Sequence, residues 1–201
     1  MLIVFEGIDG SGKGAQIRML RTFLRQHGVR HAIHKYPTKK AKEAFAHLAG
    51  KKTVPPLELA RIFADDIVSE QKKIGAEIAS GMVVICDRYL HSTLAYQAVG
   101  AGFDALKAAL PAGKVRPPDL VILLDLDPHT SAQRKEKQKT PDRHEADVEF
   151  LSKVRANYIK MEHQNFLSYK YAVIDASGKP EEIFTHVLSN VEPLIVKKIG
   201  K

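Results

Sequence analysis

The chain has one cysteine, no tryptophan and few aromatic residues of any kind. A single thiol rules out an intrachain disulfide framework. Cys86 lies inside the apolar run Val83-Val84-Ile85-Cys86, which points to a reducing, cytoplasmic setting. No apolar stretch approaches the ~20 residues that a membrane-spanning helix needs. The first such run, Leu2-Ile3-Val4-Phe5, already breaks at Glu6, which argues against a signal peptide. The nine histidines have no cysteine partners at metal-ligand spacing, so a zinc site is not expected. Acids are also scarce, 23 against 31 Lys plus Arg, for a formal net charge of +8. That balance favours anionic partners. Yet the positive charge is scattered, without the aromatic-interleaved stripe of a nucleic-acid binder. Repeats, low-complexity tracts and linkers are missing, and 201 residues suit one α/β domain covering 1–201.

What is present begins with Gly7-Ile8-Asp9-Gly10-Ser11-Gly12-Lys13-Gly14, directly after the first apolar run. The general form is G-x-x-x-x-G-K-[ST], in which backbone N–H groups wrap phosphates, Lys reaches the β/γ oxygens and the last hydroxyl holds Mg²⁺. Gly7, Gly12 and Lys13 fit, whereas Gly14 and Ala15 supply no hydroxyl. The context is the one this chemistry requires. Leu2 to Phe5 reads as a buried parallel strand. Ile17, Leu20 and Leu24 then recur at helical spacing until Gly28, so a helix N-terminus faces the bound anion.

Further strands are expected at Ala32 to Tyr36, Met82 to Cys86, Val121 to Leu124 and Tyr171 to Ile174. Helices are expected at Lys40 to Leu48, as one long element from Leu57 to Ile78, along Leu151, Val154, Tyr158 and Met161, and from Pro180 to Val196. Buried strands alternating with helices predict a parallel sheet covered on both faces. Ligands in such folds gather at the carboxyl ends of the strands, which puts Gly7 to Gly14, Pro37, Asp87-Arg88 and Asp127 on one rim.

On that rim, the Asp87 carboxylate suits Mg²⁺ and the Arg88 guanidinium suits a phosphoryl oxygen. A basic run, Arg134, Lys135, Lys137, Lys139 and Arg143, falls between a strand and a helix, where a lid that closes over phosphates would sit, at about 133–145. Asp125 and Asp127 are read as structural carboxylates at a strand end.

These pieces, in this order, resemble the thymidylate kinase family: Phe5 to Lys13, Tyr36-Pro37-Thr38, Asp87-Arg88-Tyr89 with Ser92 and Ala95-Tyr96-Gln97, Pro118-Asp119-Leu120 leading to Leu124-Asp125-Leu126-Asp127-Pro128, and Asp142-Arg143-His144-Glu145. The resemblance implies a three-layer P-loop NTPase fold with a five-stranded parallel sheet covered by helices on both faces. It also implies a homodimer, with ATP as phosphoryl donor, Mg²⁺ as cofactor and a deoxynucleoside monophosphate, dTMP first, as acceptor. Gly7, Gly10, Ser11, Gly12, Lys13, Gly14 and Ala15 would surround the donor phosphates. Arg88 would clamp the acceptor phosphate, Asp87 would position Mg²⁺ and Asp9 would approach the sugar 3′-hydroxyl. Phe63 would lie against the base, Thr93 would reach its edge, Tyr96 would crowd the 2′-position, and Pro37 and Gln97 would be further substrate-binding residues. Gly10 matches the branch of the family whose catalytic arginine lies in the lid, here Arg134 or Arg143.

The chain departs from the family's pattern twice. Gly14-Ala15 replaces two hydroxyl residues, which predicts weaker metal binding or slower turnover. Ile67 stands four residues after Phe63, where the family usually has an Arg that reads the pyrimidine carbonyl. Either another cation such as Arg61 substitutes, or Phe63, Thr93 and Gln97 suffice, or the preferred base differs. Two other functions compete with this one. A deoxynucleoside kinase would need a carboxylate base soon after the second strand, and Tyr36 to Lys40 has none. A nucleotide-regulated nucleic-acid-binding protein would explain the basic balance but not the rim chemistry.

Overall fold

A computed structural model describes residues 1–136 and 147–199. Five strands form one sheet, β1(Leu2–Glu6), β2(His31–Lys35), β3(Val83–Asp87), β4(Leu120–Asp125) and β5(Tyr171–Asp175), in the order β2-β3-β1-β4-β5. Every pairing is parallel, with Phe5 level with Asp87 and Ile122. The three inner strands are buried almost without interruption, while edge strands β2 and β5 mix buried and exposed positions. Apolar side chains on both faces of β1, β3 and β4 explain this, since each contributes ~1.5–3 kcal/mol when taken out of water. From β3 the chain crosses over β1 to reach β4. The carboxyl end of β1 is therefore the switch point, where a crevice opens.

The helices are α1(Lys13–Gln26), α2(Lys42–Leu48), α3(Pro56–Ser69), α4(Gln71–Ala79), α5(Leu90–Ala101), α6(Phe103–Ala109), α7(Pro128–Glu136), α8(Val148–His163) and α9(Pro180–Ile199). The fold class expected from the sequence is the one observed. The helix expected as one long element from Leu57 to Ile78 is two helices, broken at Glu70. Side chains cause the break. Ser69 Oγ donates to Asp66 O at 2.8 Å and Gln71 Nε2 to Ile67 O at 2.9 Å, while Gln71 Oε1 accepts from Tyr89 Oη at 3.0 Å. Helix α5 had no sequence signal because Leu90, His91, Ser92, Thr93, Leu94 and Ala95 are all buried, so no polar face marks its period. By contrast, Leu151, Val154, Tyr158 and Met161 do form the buried face of α8. Its N-terminus is capped by Asp147, which accepts from Phe150 N at 2.9 Å.

Candidate active site

The glycine loop leaves the carboxyl end of β1 and turns into α1. Gly7 has φ +136°, and a Cβ there would lie 2.4 Å from Leu124 O. Gly10 has φ +77°, and a Cβ would lie 2.7 Å from Ser131 Oγ. A side chain at Gly7 would collide with backbone, and one at Gly10 would be strained by the positive φ and would displace the Ser131 hydroxyl. Gly12, Gly14 and Ala15 follow at the helix start, where Ala15 N donates to Gly12 O at 2.9 Å. Lys13 is buried and turns back on the loop, donating to Gly7 O at 2.8 Å and Ile8 O at 2.9 Å, with Ser11 Oγ at 3.4 Å. Burial, with the Arg88 charge next, lowers its ammonium to about 7.

Arg88 follows β3 in a left-handed backbone conformation, φ 70°. Its guanidinium pairs with Asp9 and donates to Ser92 Oγ at 3.0 Å. It also lies over the Tyr96 ring, 5.0 Å from the centroid. Tyr96 Oη donates to Asp9 Oδ2 at 2.9 Å, joining three residues that the sequence separates widely. Asp9 is held from its other side by Ser131 Oγ, which donates to Asp9 O at 2.5 Å.

Beside this cluster is a cavity of about 430 Å³. That is within the range of small-ligand sites, ~300–1,000 Å³. Asp9, Pro37, Phe63, Arg88, Thr93, Tyr96 and Gln97, the whole set expected around an acceptor nucleotide, line it together. Its wall is mainly apolar, and Ile67 is part of that wall with 1% exposure. Arg61 is exposed and does not line the cavity, so no cation replaces the arginine expected at 67 among the lining residues.

Asp87 ends β3 with its nearest cation, Lys35 Nζ, at 3.7 Å on a largely exposed side chain. The weak pairing leaves a carboxylate on the rim, which suits a hard cation held mostly through water. No cluster of three or more metal-ligating side chains exists among the described residues. Arg134 lies on α7 and bridges two loops, with Nη2 donating to Ser177 O at 3.0 Å and Nη1 to Gly10 O at 3.5 Å. Arg143, Lys137, Lys139 and most of the expected lid lie outside the described residues. Asp125 and Asp127 are structural, as expected. Asp125 forms a two-pronged pair with Arg155 at 2.6 and 2.7 Å, and Asp127 Oδ1 accepts from His129 N at 3.0 Å at the start of α7.

Sequence reasoning missed two carboxylates. Asp66 is buried on α3 and accepts from Thr38 N at 2.7 Å and Thr38 Oγ at 2.5 Å, fixing the loop that carries Pro37. Glu6 is fully buried at the end of β1, and burial raises its carboxyl to about 7. Its signals are a glutamate closing a run of four apolar residues and its place within the family-like stretch Phe5 to Lys13, and neither marks it as functional.

A glycine loop running into a helix N-terminus and a cavity of small-ligand size share one sheet edge, with a guanidinium between them. That juxtaposition defines a nucleotide kinase, which moves a phosphoryl group between two anions. The profile of the family described as thymidylate kinase matches residues 5–187. The chain is 34% identical to the thymidylate kinase of Carboxydothermus hydrogenoformans, covering 96% of this chain and 97% of that protein. It is 35% identical to the probable thymidylate kinase of Methanocaldococcus jannaschii, with 94% of each covered. The chain therefore belongs to the thymidylate kinase family, phosphotransferases that make dTDP from dTMP with a nucleotide donor. No helix among the described residues is long and apolar enough to cross a membrane.

Proposed function

We propose that this chain transfers the γ-phosphoryl group of ATP to dTMP in the cytoplasm, as a single domain with a basic lid at about 133–145 and as a homodimer. The observation that carries this reading is the Arg88–Asp9–Tyr96 cluster, which joins the acceptor cavity to the glycine loop. Donor phosphates lie on the loop amides and Lys13. The acceptor phosphate lies on Arg88, the sugar 3′-hydroxyl near Asp9, and the base between Phe63 and Pro37 with Thr93 and Gln97 at its edge. Tyr96 fills the space a 2′-hydroxyl would need. An oxygen of the acceptor phosphate bonds to the γ-phosphorus as the bond to the β-phosphate oxygen breaks, and ADP leaves. The acceptor oxygen is already ionised, so alignment and charge stabilisation do the catalytic work without a general base. Mg²⁺ when bound neutralises the donor oxygens, and Asp87 is the residue that would hold it. Arg134 and Arg143 are the two candidates for the lid cation that would meet the transferring group.

ADP release across dTMP, dUMP, dCMP, dGMP and thymidine tests this function. Turnover with dTMP and none with thymidine is expected. Turnover with thymidine alone would make the chain a nucleoside kinase. Salt-sensitive DNA or RNA binding without any turnover would reject kinase activity. Because the Ile67 wall carries no charged donor, dTMP should be separated from dCMP less sharply than by an arginine at that position. Ile67→Arg is expected to widen the dTMP/dCMP ratio of kcat/KM by roughly 10-fold or more, the worth of a hydrogen bond to a charged group.

A second prediction concerns Gly14. A Cβ there would meet only Arg18 Nη1, at 3.5 Å, so a larger residue fits. Gly14→Thr restores the hydroxyl and is expected to lower the Mg²⁺ concentration for half-maximal activity by up to about tenfold. An unchanged Mg²⁺ titration would show that the hydroxyl is not missed.

A further inference from the structure

Glu6 has no exposed surface, and its two oxygens collect donors from α5 and α8. Oε1 accepts from Tyr89 N at 2.7 Å and Ser92 N at 3.3 Å. Oε2 accepts from Ser92 Oγ at 2.5 Å and Tyr158 Oη at 3.0 Å. Tyr89 is the N-cap residue of α5 and makes no side-chain cap of its own. Its N–H has no partner within the helix and is satisfied by a carboxylate from β1, while the Ser92 N–H, which donates to Tyr89 O at 3.0 Å, leans on the same oxygen.

Ser92 extends this arrangement to the rim. Its hydroxyl has one proton, which goes to Glu6, and its lone pairs then accept from Arg88 Nη1 at 3.0 Å. The direction of the relay is set by Arg88, whose guanidinium can only donate, so the Ser92 proton points away from it to Glu6 Oε2. Arg88 itself sits in a backbone conformation that a non-glycine residue holds only when its surroundings impose it. They do so from both sides. Arg88 N donates to Phe5 O at 3.0 Å, and the next N–H, of Tyr89, is held by Glu6.

We propose that Glu6 is the positioning residue of the acceptor site: through Ser92 it aims the Arg88 guanidinium, and through the N–H groups of Tyr89 and Ser92 it sets the start of α5, the helix that carries Thr93, Tyr96 and Gln97. The inference rests on reading Arg88 as the clamp for the acceptor phosphate. Glu6 does not line the acceptor cavity, whereas Ser92 does, so Glu6 acts only through its neighbours. All four of its hydrogen bonds run to the acceptor side. The glycine loop, which leaves the same strand end, is held by other contacts. The hydrogen bonds of Glu6 therefore reach the acceptor and not the donor loop, on which it acts only through its charge on Lys13.

Steady-state kinetics with dTMP and ATP varied separately, alongside thermal melting, test the assignment on Glu6→Gln, Ser92→Ala and Arg88→Ala. Glu6→Gln and Ser92→Ala are each expected to raise KM for dTMP roughly tenfold, and in Ser92→Ala, which keeps the carboxylate charge felt by Lys13, KM for ATP stays within about twofold. Ser92→Ala keeps the carboxylate and both backbone caps, so it decides the relay even where Glu6→Gln does not fold. An unchanged KM for dTMP in Ser92→Ala overturns the proposal. So does an equal rise in both KM values, or a lower melting temperature with normal kinetics, because either marks a merely structural carboxylate. If Arg88→Ala raises KM for dTMP while the other two do not, the inference on Glu6 fails and the clamp stands. If Arg88→Ala binds dTMP normally, the clamp reading itself fails.

Discussion

Arg88→Ala is expected to lower kcat/KM for dTMP by roughly 10³-fold, the scale of losing a preorganised charged donor at a transferring phosphoryl group. Two effects add. The guanidinium no longer offsets the acceptor phosphate, and the Asp9 carboxylate it pairs with now faces that anion without it. Stability responds differently. Arg88 has φ 70°, a region that costs a non-glycine L-residue ~1–2 kcal/mol. Alanine inherits this strain and glycine does not. Arg88→Gly should therefore melt above Arg88→Ala while being equally inactive. A glycine variant that melts below the alanine variant would show that the turn's strain is not borne at this residue. Retained activity in either would remove Arg88 from the acceptor site.

Lys13→Met is expected to reduce kcat/KM for ATP by about 10²–10³-fold, and it should also remove a pH dependence. Burial, reinforced by Arg88, holds the Lys13 ammonium at about 7 in the ligand-free protein. Above that pH the amine is largely neutral. Donor phosphates favour the charged form and raise its pKa, so binding takes up a proton between about pH 7 and the ordinary lysine range. ATP affinity should therefore weaken by up to about tenfold per pH unit above 7 and be level with respect to Lys13 below it. Calorimetric titration at pH 8 in two buffers of different ionisation enthalpy reads the proton directly. Uptake should approach one proton in the wild type and vanish in Lys13→Met. Equal enthalpies in the two buffers for the wild type would mean that Lys13 is already charged before the donor arrives.

Much of the fold was legible because its signals are local. Four-residue apolar runs mark the inner strands, and Gly7 to Lys13 marks the turn between β1 and α1. The periodic face of α8 was equally plain. What escaped depended on distant partners. The break at Glu70 comes from Gln71, whose side chain reaches Tyr89 and Arg116 N, at 2.9 Å. Helix α5 is buried on nearly all sides and shows no amphipathic stripe. At the site, Asp9, Arg88 and Tyr96 were each recognisable by motif. Asp66 and Glu6 belong to no spacing rule, and their importance arises from what surrounds them.

The sequence by itself determined the glycine loop at the end of the first strand. It also identified seven residues that line the cavity, because strand–loop–helix geometry and residue chemistry are encoded over short stretches. Only the tertiary structure decided how those pieces act together. It brought Asp9, Arg88 and Tyr96 into one cluster, showed Ile67 to be an apolar wall with no cation in its place, and revealed a buried glutamate behind Arg88. The physical reason is that a parallel sheet joins strands far apart in the chain. Desolvation, hydrogen-bond satisfaction and charge pairing are properties of those meetings, and no single segment of the sequence contains them.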